Sequence, residues 1–324
     1  MNAGVGLHSV EVVFLDQNKW IDLARVEAGK IGTGPLVELY SQLSRAVDEG
    51  RVIFPLTASH ILETSKRNDP LSRMLLAQTQ ARLSKGYVYR SRAGRLLVEM
   101  RFALQGLFGE LPSTLPVNWA VAPGFLQAFE PMDELVASPV DAERSRRLNA
   151  NIDPRVLYVD YMQNQDDPRR RVAHEKLISG IAALVARIEA RRSLLVGDSV
   201  DLRRRAYCAA LFLDHQDAMI KVLYALGHTI GEMRALGPEA VINFIEDVPT
   251  LKVESEMAAR LEASTGSIEP NDVFDMQSFY TAIPYSSRLV AEKGFISLAK
   301  QARLDVRYQV LLSRSLPDLL GVYA

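Results

Sequence analysis

Four apolar residues in a row, Val12 to Leu15, stop at Asp16, and beyond that aspartate the apolar positions recur at helical rather than strand spacing. A short apolar run ended by a charge predicts a buried strand, and the change of period predicts a helix over about Asn18 to Val26. Gly-rich punctuation, AGKIGTGP, leads to a second helical pattern that Pro35 opens and Gly50 closes. RVIFP then predicts a second short strand, and LTASHILETSKR a helix capped by Thr57 or Ser59. Strand, helices, strand, helix in that order predicts a parallel α/β architecture.

From about Asp69 to Glu246 the pattern changes. Long helical stretches such as HEKLISGIAALVARIEARRSLL and AYCAALFLDHQDAMIKVLYALG dominate, interrupted by the proline-containing loops LPSTLPVNWAVAPG and EPMDELVASPVD. Alternation returns near the C-terminus: EPNDVFDMQSFYTAIPY predicts a capped helix, SRLVAE a strand, KGFISLAKQARL a helix and DVRYQVL another strand. The organisation expected is an α/β core from residues 1–68 and 247–324, with residues 69–246 a mainly helical insertion.

Composition narrows this picture. A chain of 324 residues that is 48% hydrophobic has ample material for a core. Its one cysteine, Cys208, excludes an intramolecular disulfide; it stands among apolar neighbours and predicts a structural thiol. No stretch has the length and apolarity of a membrane span, which predicts a cytoplasmic protein. Lysine plus arginine (38) and aspartate plus glutamate (39) nearly cancel, so any surface that attracts nucleic acid must be local.

The candidate chemistry lies in the acids. Asp16 follows the first strand, Glu63 sits inside the helix after the second, Asp272 and Asp275 open a late helix, and Glu292 follows a late strand. In an open parallel sheet such residues gather at the carboxyl edge, where ligands bind. Gathered carboxylates raise one another's pKa, and a hard divalent cation relieves that repulsion, so Mg²⁺ or Mn²⁺ is the expected partner. Such a site suits phosphodiester hydrolysis. Structural roles compete at each position: helix-dipole stabilisation explains Asp272 and Asp275, and Glu292 has Arg288 and Lys293 as ion-pair partners within reach.

FLDQNKWIDLA, IFPLTASHILETSK and NDVFDMQSFYTAIPYSSRLVAEKGF, in that order, resemble the acidic motifs of PIN-domain nucleases. The family's first aspartate matches Asp16, with its asparagine at Asn18. Its helix-borne glutamate matches Glu63, its third acid Asp275 with Asp272 just upstream, and its late acid Glu292. The resemblance implies a parallel sheet flanked by helices, Mg²⁺ or Mn²⁺ at the acidic cluster, and cleavage of single-stranded or structured RNA. It spans about Val10 to Lys66 and Asp247 to the C-terminus. The chain departs from the family pattern twice, with Ser287 where an aspartate is common and with Glu292 in place of the more usual aspartate.

Other residues fit nucleic acid less distinctly. Arg169, Arg170 and Arg171, and Arg203, Arg204 and Arg205, form basic triplets suited to phosphate or to a solvated helix face. Arg90 and Arg92, interleaved with Tyr87 and Tyr89, suit the stacking of unpaired bases. Lys19 and Lys293, each close behind a candidate acid, suit substrate phosphate. His60 lies three residues before Glu63, where local hydrogen bonding competes with a role in the site, and Trp20 reads as core. The leading expectation is a metal-dependent, toxin-like endoribonuclease with an inhibitory protein partner or a homodimer left open. The alternatives are a catalytically decayed nucleic-acid or protein-binding module, and a DNA nuclease or phosphatase on the same sheet.

Overall fold

The computed structural model describes residues 10–112, 114–131, 152–164 and 167–324, together with Val140, Glu143, Arg144 and Arg147. In chain order its elements are β1 (Glu11–Leu15), α1 (Gln17–Glu27), α2 (Pro35–Asp48), β2 (Val52–Ile53), α3 (Ala58–Ser65), α4 (Pro70–Ser84), β3 (Tyr87–Tyr89), α5 (Arg92–Leu107) and β4 (Val121–Pro123). There follow α6 (Pro154–Asn164), α7 (Asp167–Leu194), α8 (Val200–Ala225), α9 (Ile230–Ala235), α10 (Pro238–Asp247), α11 (Pro249–Ala263) and α12 (Pro270–Ala282). The chain closes with β5 (Arg288–Val290), α13 (Lys293–Gln301), α14 (Leu304–Tyr308) and β6 (Leu311–Ser313). No helix among the described residues is long and apolar enough to cross a membrane.

Two compact units divide this chain. The first comprises residues 1–91, 115–177 and 285–324, and the second residues 92–114 and 178–284. The boundaries differ from those the hydrophobic pattern predicts: α4, β3, β4 and α6 belong with the sheet, while α11 and α12 belong with the helical unit.

The first unit is α/β. Its sheet has four strands in the order β2, β1, β5, β6, every neighbouring pair parallel. Both faces of β1 are covered, since Val12, Val13, Phe14 and Leu15 are all buried, and a doubly covered strand reads as a continuous apolar run. Val13 and Leu15 join Trp20, Leu23, Leu39, Leu43 and Ile61 in one cluster, while Phe14 stacks on the His60 ring with centroids 5.2 Å apart. Each such side chain contributes about 1.5–3 kcal/mol by leaving water. The helix starts follow local chemistry: Asp16 caps α1, Thr57 caps α3 and Asp69 caps α4, while Pro35 and Pro70 occupy first turns where no N–H is missed.

Two features depart from expectation. The stretch DVRYQVL forms no strand at its start: residues 304–308 are helical, Arg303 and Gln309 turn the chain at φ 55° and 53°, and β6 begins at Leu311. The alternation there is local, whereas the strand is set by pairing Leu311–Ser313 with Arg288–Val290. The region around residue 87, expected to be mainly helical, and the expected loop around residue 121 contain a second, antiparallel pair, β3 with β4, too short to show a period. Gly86 enters β3 at φ 76°, and a Cβ there would stand 2.7 Å from the Pro154 Cβ, so that turn needs glycine.

The second unit is helical among its described residues. Val248 offers no side chain to cap α11, and buried Glu99 supplies that role from α5, accepting from the Thr250 N–H at 2.8 Å and its hydroxyl at 2.6 Å. Cys208 is buried on α8, as a structural thiol should be, and burial pushes its pKa up. The triplet at 203–205 is engaged internally: Arg203 donates to the Leu195 carbonyl, Arg204 pairs with Asp201 and Glu246, and Arg205 pairs with Asp201. The side chains of Arg169, Arg170 and Arg171 lie outside the described ones.

Candidate functional site

Strand order places the site. From β1 the chain goes on to β2 on one side, whereas from β5 it goes on to β6 on the other. The gap between β1 and β5 is therefore a topological switch point, where helices leave on opposite faces and a crevice opens at the carboxyl ends of the strands. Asp16 ends β1 and Glu292 lies just past the end of β5. The Asp16 N–H donates to the Val290 carbonyl at 2.9 Å, the last rung joining the two strands.

Each acid is held in its own way. The Asp16 carboxylate accepts from the Gln17 N–H at 2.7 Å as the cap of α1. Glu292 stands at the cap position of α13 but makes no side-chain cap bond. Its Oε1 instead accepts from Asn18 Nδ2 at 2.8 Å, across 274 residues of chain. Arg288, one of the two cations within reach of it in sequence, pairs with Glu11 at 2.9 Å. Glu63 lies on α3, partly buried, in the turn after the capping box of Thr57 and His60.

Asp16 interacts with each of the other two carboxyl groups. Burial is the main cause that raises the Asp16 pKa; the Gln17 hydrogen bond opposes it, the charge of Glu292 adds to it, and Lys19 opposes it. Glu63 is pushed up to about 7, first by burial and also by the charge of Asp16, against Lys66 and Arg67. Lys293 is exposed at the start of α13. Among the described residues no three His, Cys, Asp or Glu side chains stand together at metal-binding spacing.

Other expected residues have different surroundings. Ser287 lies at the opposite end of β5: its N–H and hydroxyl both donate to the Val12 carbonyl, at 2.9 and 3.1 Å. At about 3.3 Å per strand residue it is roughly 13 Å from the level of Asp16, so it does not support that acid. Asp272 and Asp275 are on α12 of the second unit. Asp272 accepts from the Glu269 N–H at 2.8 Å, the capping contact that helix-end chemistry predicts.

The base-stacking reading of the arginines and tyrosines gives way. Tyr89 is 1% exposed and its hydroxyl bonds Ser286, so it has no free face. Arg90 donates to the Trp119 carbonyl. Arg92 pairs with Glu254 at 2.6 Å and covers the Tyr280 ring. His60 is buried; its Nδ1 accepts from the Thr57 N–H at 3.1 Å, and burial pushes its pKa down to about 3, so it caps a helix as a neutral ring.

One polar group behind the site escapes the sequence pattern. Gln17 and Thr64, the residues directly after Asp16 and Glu63, are buried together with Gln80 and Tyr158. Gln17 Nε2 donates to Thr64 Oγ1 at 3.3 Å, Thr64 donates to Gln80 Oε1 at 3.0 Å, and Tyr158 donates to the same oxygen at 2.7 Å. The ring is nearly closed by Gln80 Nε2, 3.5 Å from Gln17 Oε1. It ties α1, α3, α4 and α6 together beneath the two acids, and its one sequence signal is a glutamine and a threonine on the inward side of two helices.

Comparison with family models, with curated proteins and with solved structures gives no match.

Proposed function

We propose that the first unit has the PIN-like fold and is a metal-dependent endoribonuclease acting at the carboxyl edge of its sheet. One observation carries this reading: Asp16 and Glu292 sit at the ends of adjacent parallel strands, at the switch point, and Asn18, two residues past Asp16, donates to Glu292. The donor set is of oxygen ligands, which fits a hard cation, and at Asp16 and Glu63 burial and a neighbouring carboxylate disfavour the ionised form, a cost that a cation relieves. Asp16, Glu63 and Glu292 would hold Mg²⁺ or Mn²⁺; when bound, the ion acidifies a water and offsets charge on the phosphate. Asn18 orients Glu292 through its amide. Lys19 draws phosphate toward the acids. For Asp275, for RNA rather than DNA, and for an inhibitory protein partner, the resemblance is the support.

The test is calorimetric titration of Mn²⁺ into wild type and Asp16→Asn, followed by RNA cleavage with Mn²⁺ present. Binding that weakens at least about tenfold in the variant, with cleavage lost, is expected. Metal-dependent cleavage at full rate by Asp16→Asn would sink the assignment. The second reading, a binding module without catalysis, is favoured by the spacing of the acids, which brings no three of them together among the described residues. It expects RNA binding with no Mn²⁺ binding in either protein.

A further inference from the structure

On the first unit, behind the acidic edge, a groove of about 160 Å³ runs between the last turns of α1 and the start of α4. Arg25, Lys30 and Arg67 line it with Ser72, over a floor that includes Leu75 and Leu76, and no acid is among its lining residues. Three cations on one small cavity select an anion. The volume is below the roughly 300–1,000 Å³ of pockets that enclose a whole organic ligand, and suits one anionic group of a longer molecule.

The groove is a built feature. Buried Arg73 donates to the Arg67 carbonyl at 2.6 Å and to the Met162 carbonyl at 2.9 Å, which fixes the turn before α4. Arg67 Nη1 donates to Ser72 Oγ at 3.2 Å, so the guanidinium is positioned over the first turn of α4. On the other wall the end of α1 would repel an anion through its carbonyls. Those carbonyls are occupied: Arg25 accepts from the Lys30 and Ile31 N–H groups, Ala24 from Ala28 and Val26 from Gly29. The turn that satisfies them is also what carries Lys30 back to the groove. Arg25 pairs with Asp22 at 3.3 Å, but both side chains are well exposed, so the pair is weak in water and yields to a phosphate.

The groove shares its helices with the acids. Arg25 is nine residues along α1 from Asp16, about 14 Å at 1.5 Å per residue, and Arg67 follows Glu63 by about one turn. We propose that this groove seats a backbone phosphate of single-stranded RNA flanking the bond at the acidic edge, held by Arg25, Lys30 and Arg67. The identity of the polymer rests on the ribonuclease reading; the anion site does not.

The experiment is fluorescence anisotropy of a labelled mixed-sequence single-stranded RNA, titrated with full-length protein in EDTA at several salt concentrations. Chelation keeps the metal site out of the measurement. Each phosphate contact to a single strand multiplies the binding constant by [salt] to the power of about −0.7, close to fivefold at about 0.1 M. Arg25→Ala with Lys30→Ala, which removes that one phosphate contact, is therefore expected to weaken binding about fivefold and to lower the salt slope by about 0.7, with Lys300→Ala, elsewhere on the same unit, at wild-type affinity. Wild-type affinity and slope in the double variant would overturn the proposal, as would absence of RNA binding by the wild type. Inorganic phosphate that binds wild type but not the double variant, without any RNA effect, would overturn it in favour of a free-anion site. Loss of the nuclease reading shows separately, as no Mn²⁺ binding and no cleavage, while this titration still tells the variants apart.

Discussion

Replacing Thr64 by valine tests whether the buried polar ring holds the two helices that carry Asp16 and Glu63. Valine keeps the shape and removes the hydroxyl, which both accepts from Gln17 Nε2 and donates to Gln80 Oε1. Gln80 keeps the Tyr158 donor, so its loss is one ordinary hydrogen bond, about 0.5–1.5 kcal/mol. Gln17, 6% exposed, is left with a buried amide proton lacking its partner, which costs about 1–3 kcal/mol more. The sum is about 2–4 kcal/mol, a large share of the stability of a single folded unit.

The assay is urea unfolding followed by tryptophan fluorescence. The chain has two tryptophans, Trp20 and Trp119, and both belong to the first unit, so the signal reports on that unit alone. With urea slopes of about 1–3 kcal/mol/M, the midpoint should fall by about 0.7 M or more at unchanged slope. Thr64→Ser keeps the hydroxyl and loses one methyl, and should fall by no more than about half as much. A midpoint in Thr64→Val within about 0.3 M of wild type would refute the argument.

Glu63→Gln should gain stability over wild type at alkaline pH. A carboxyl held at about 7 in the fold against the usual 4.5 stabilises fully below 4.5, and that stability is lost as pH rises to and through 7, so the variant and wild type diverge across this window by up to about 3 kcal/mol. Melting temperatures from pH 4 to 8 check it, and parallel curves would contradict it. In the second unit, Glu254→Gln removes the partner of Arg92 and an acceptor of the Tyr207 hydroxyl. Because Arg92 is 31% exposed, about 2–3 kcal/mol is expected rather than the full cost of a buried orphan charge. The loss should show in far-ultraviolet dichroism with little change in the tryptophan transition.

The sequence pattern located what depends on neighbours along the chain. The run at Val12–Leu15, the cap at Thr57 and the proline at 35 all act within one turn, and the elements they define are where expected. What depends on pairing was not legible. β3 and β4 are three residues each, too short for a period, and β6 is set by β5 rather than by the alternation at residues 305–311. The same holds at the candidate site. Asp16, Glu63 and Glu292 are visible as acids after strands, whereas the Asn18 bond to Glu292 and the ring of Gln17, Thr64 and Gln80 join residues that only the fold brings together. Ser287 shows the converse error: closeness to Glu292 in sequence places it at the wrong end of a strand.

The geometry of the acids is in turn fixed from the far end of the sheet. A parallel strand that slips by one residue moves about 3.3 Å and turns every side chain to the other face. β1 meets β5 with Val13 beside Arg288 and Leu15 beside Val290, and that register puts Glu292 within reach of Asn18. Apolar burial alone resists a slip weakly here, because both faces of these strands are covered and a shifted apolar run still finds apolar neighbours. The polar contacts at the amino end discriminate better: Arg288 pairs with Glu11 at 2.9 Å, Tyr323 donates to the same carboxylate at 2.8 Å, and Ser287 bonds the Val12 carbonyl twice. In a slipped register the Arg288 guanidinium would face away from Glu11, and one half-buried charge would lose its partner. The polar lock at one edge of the sheet therefore specifies the spacing of the carboxylates at the other, and Ser287 contributes to the site through the register of β5.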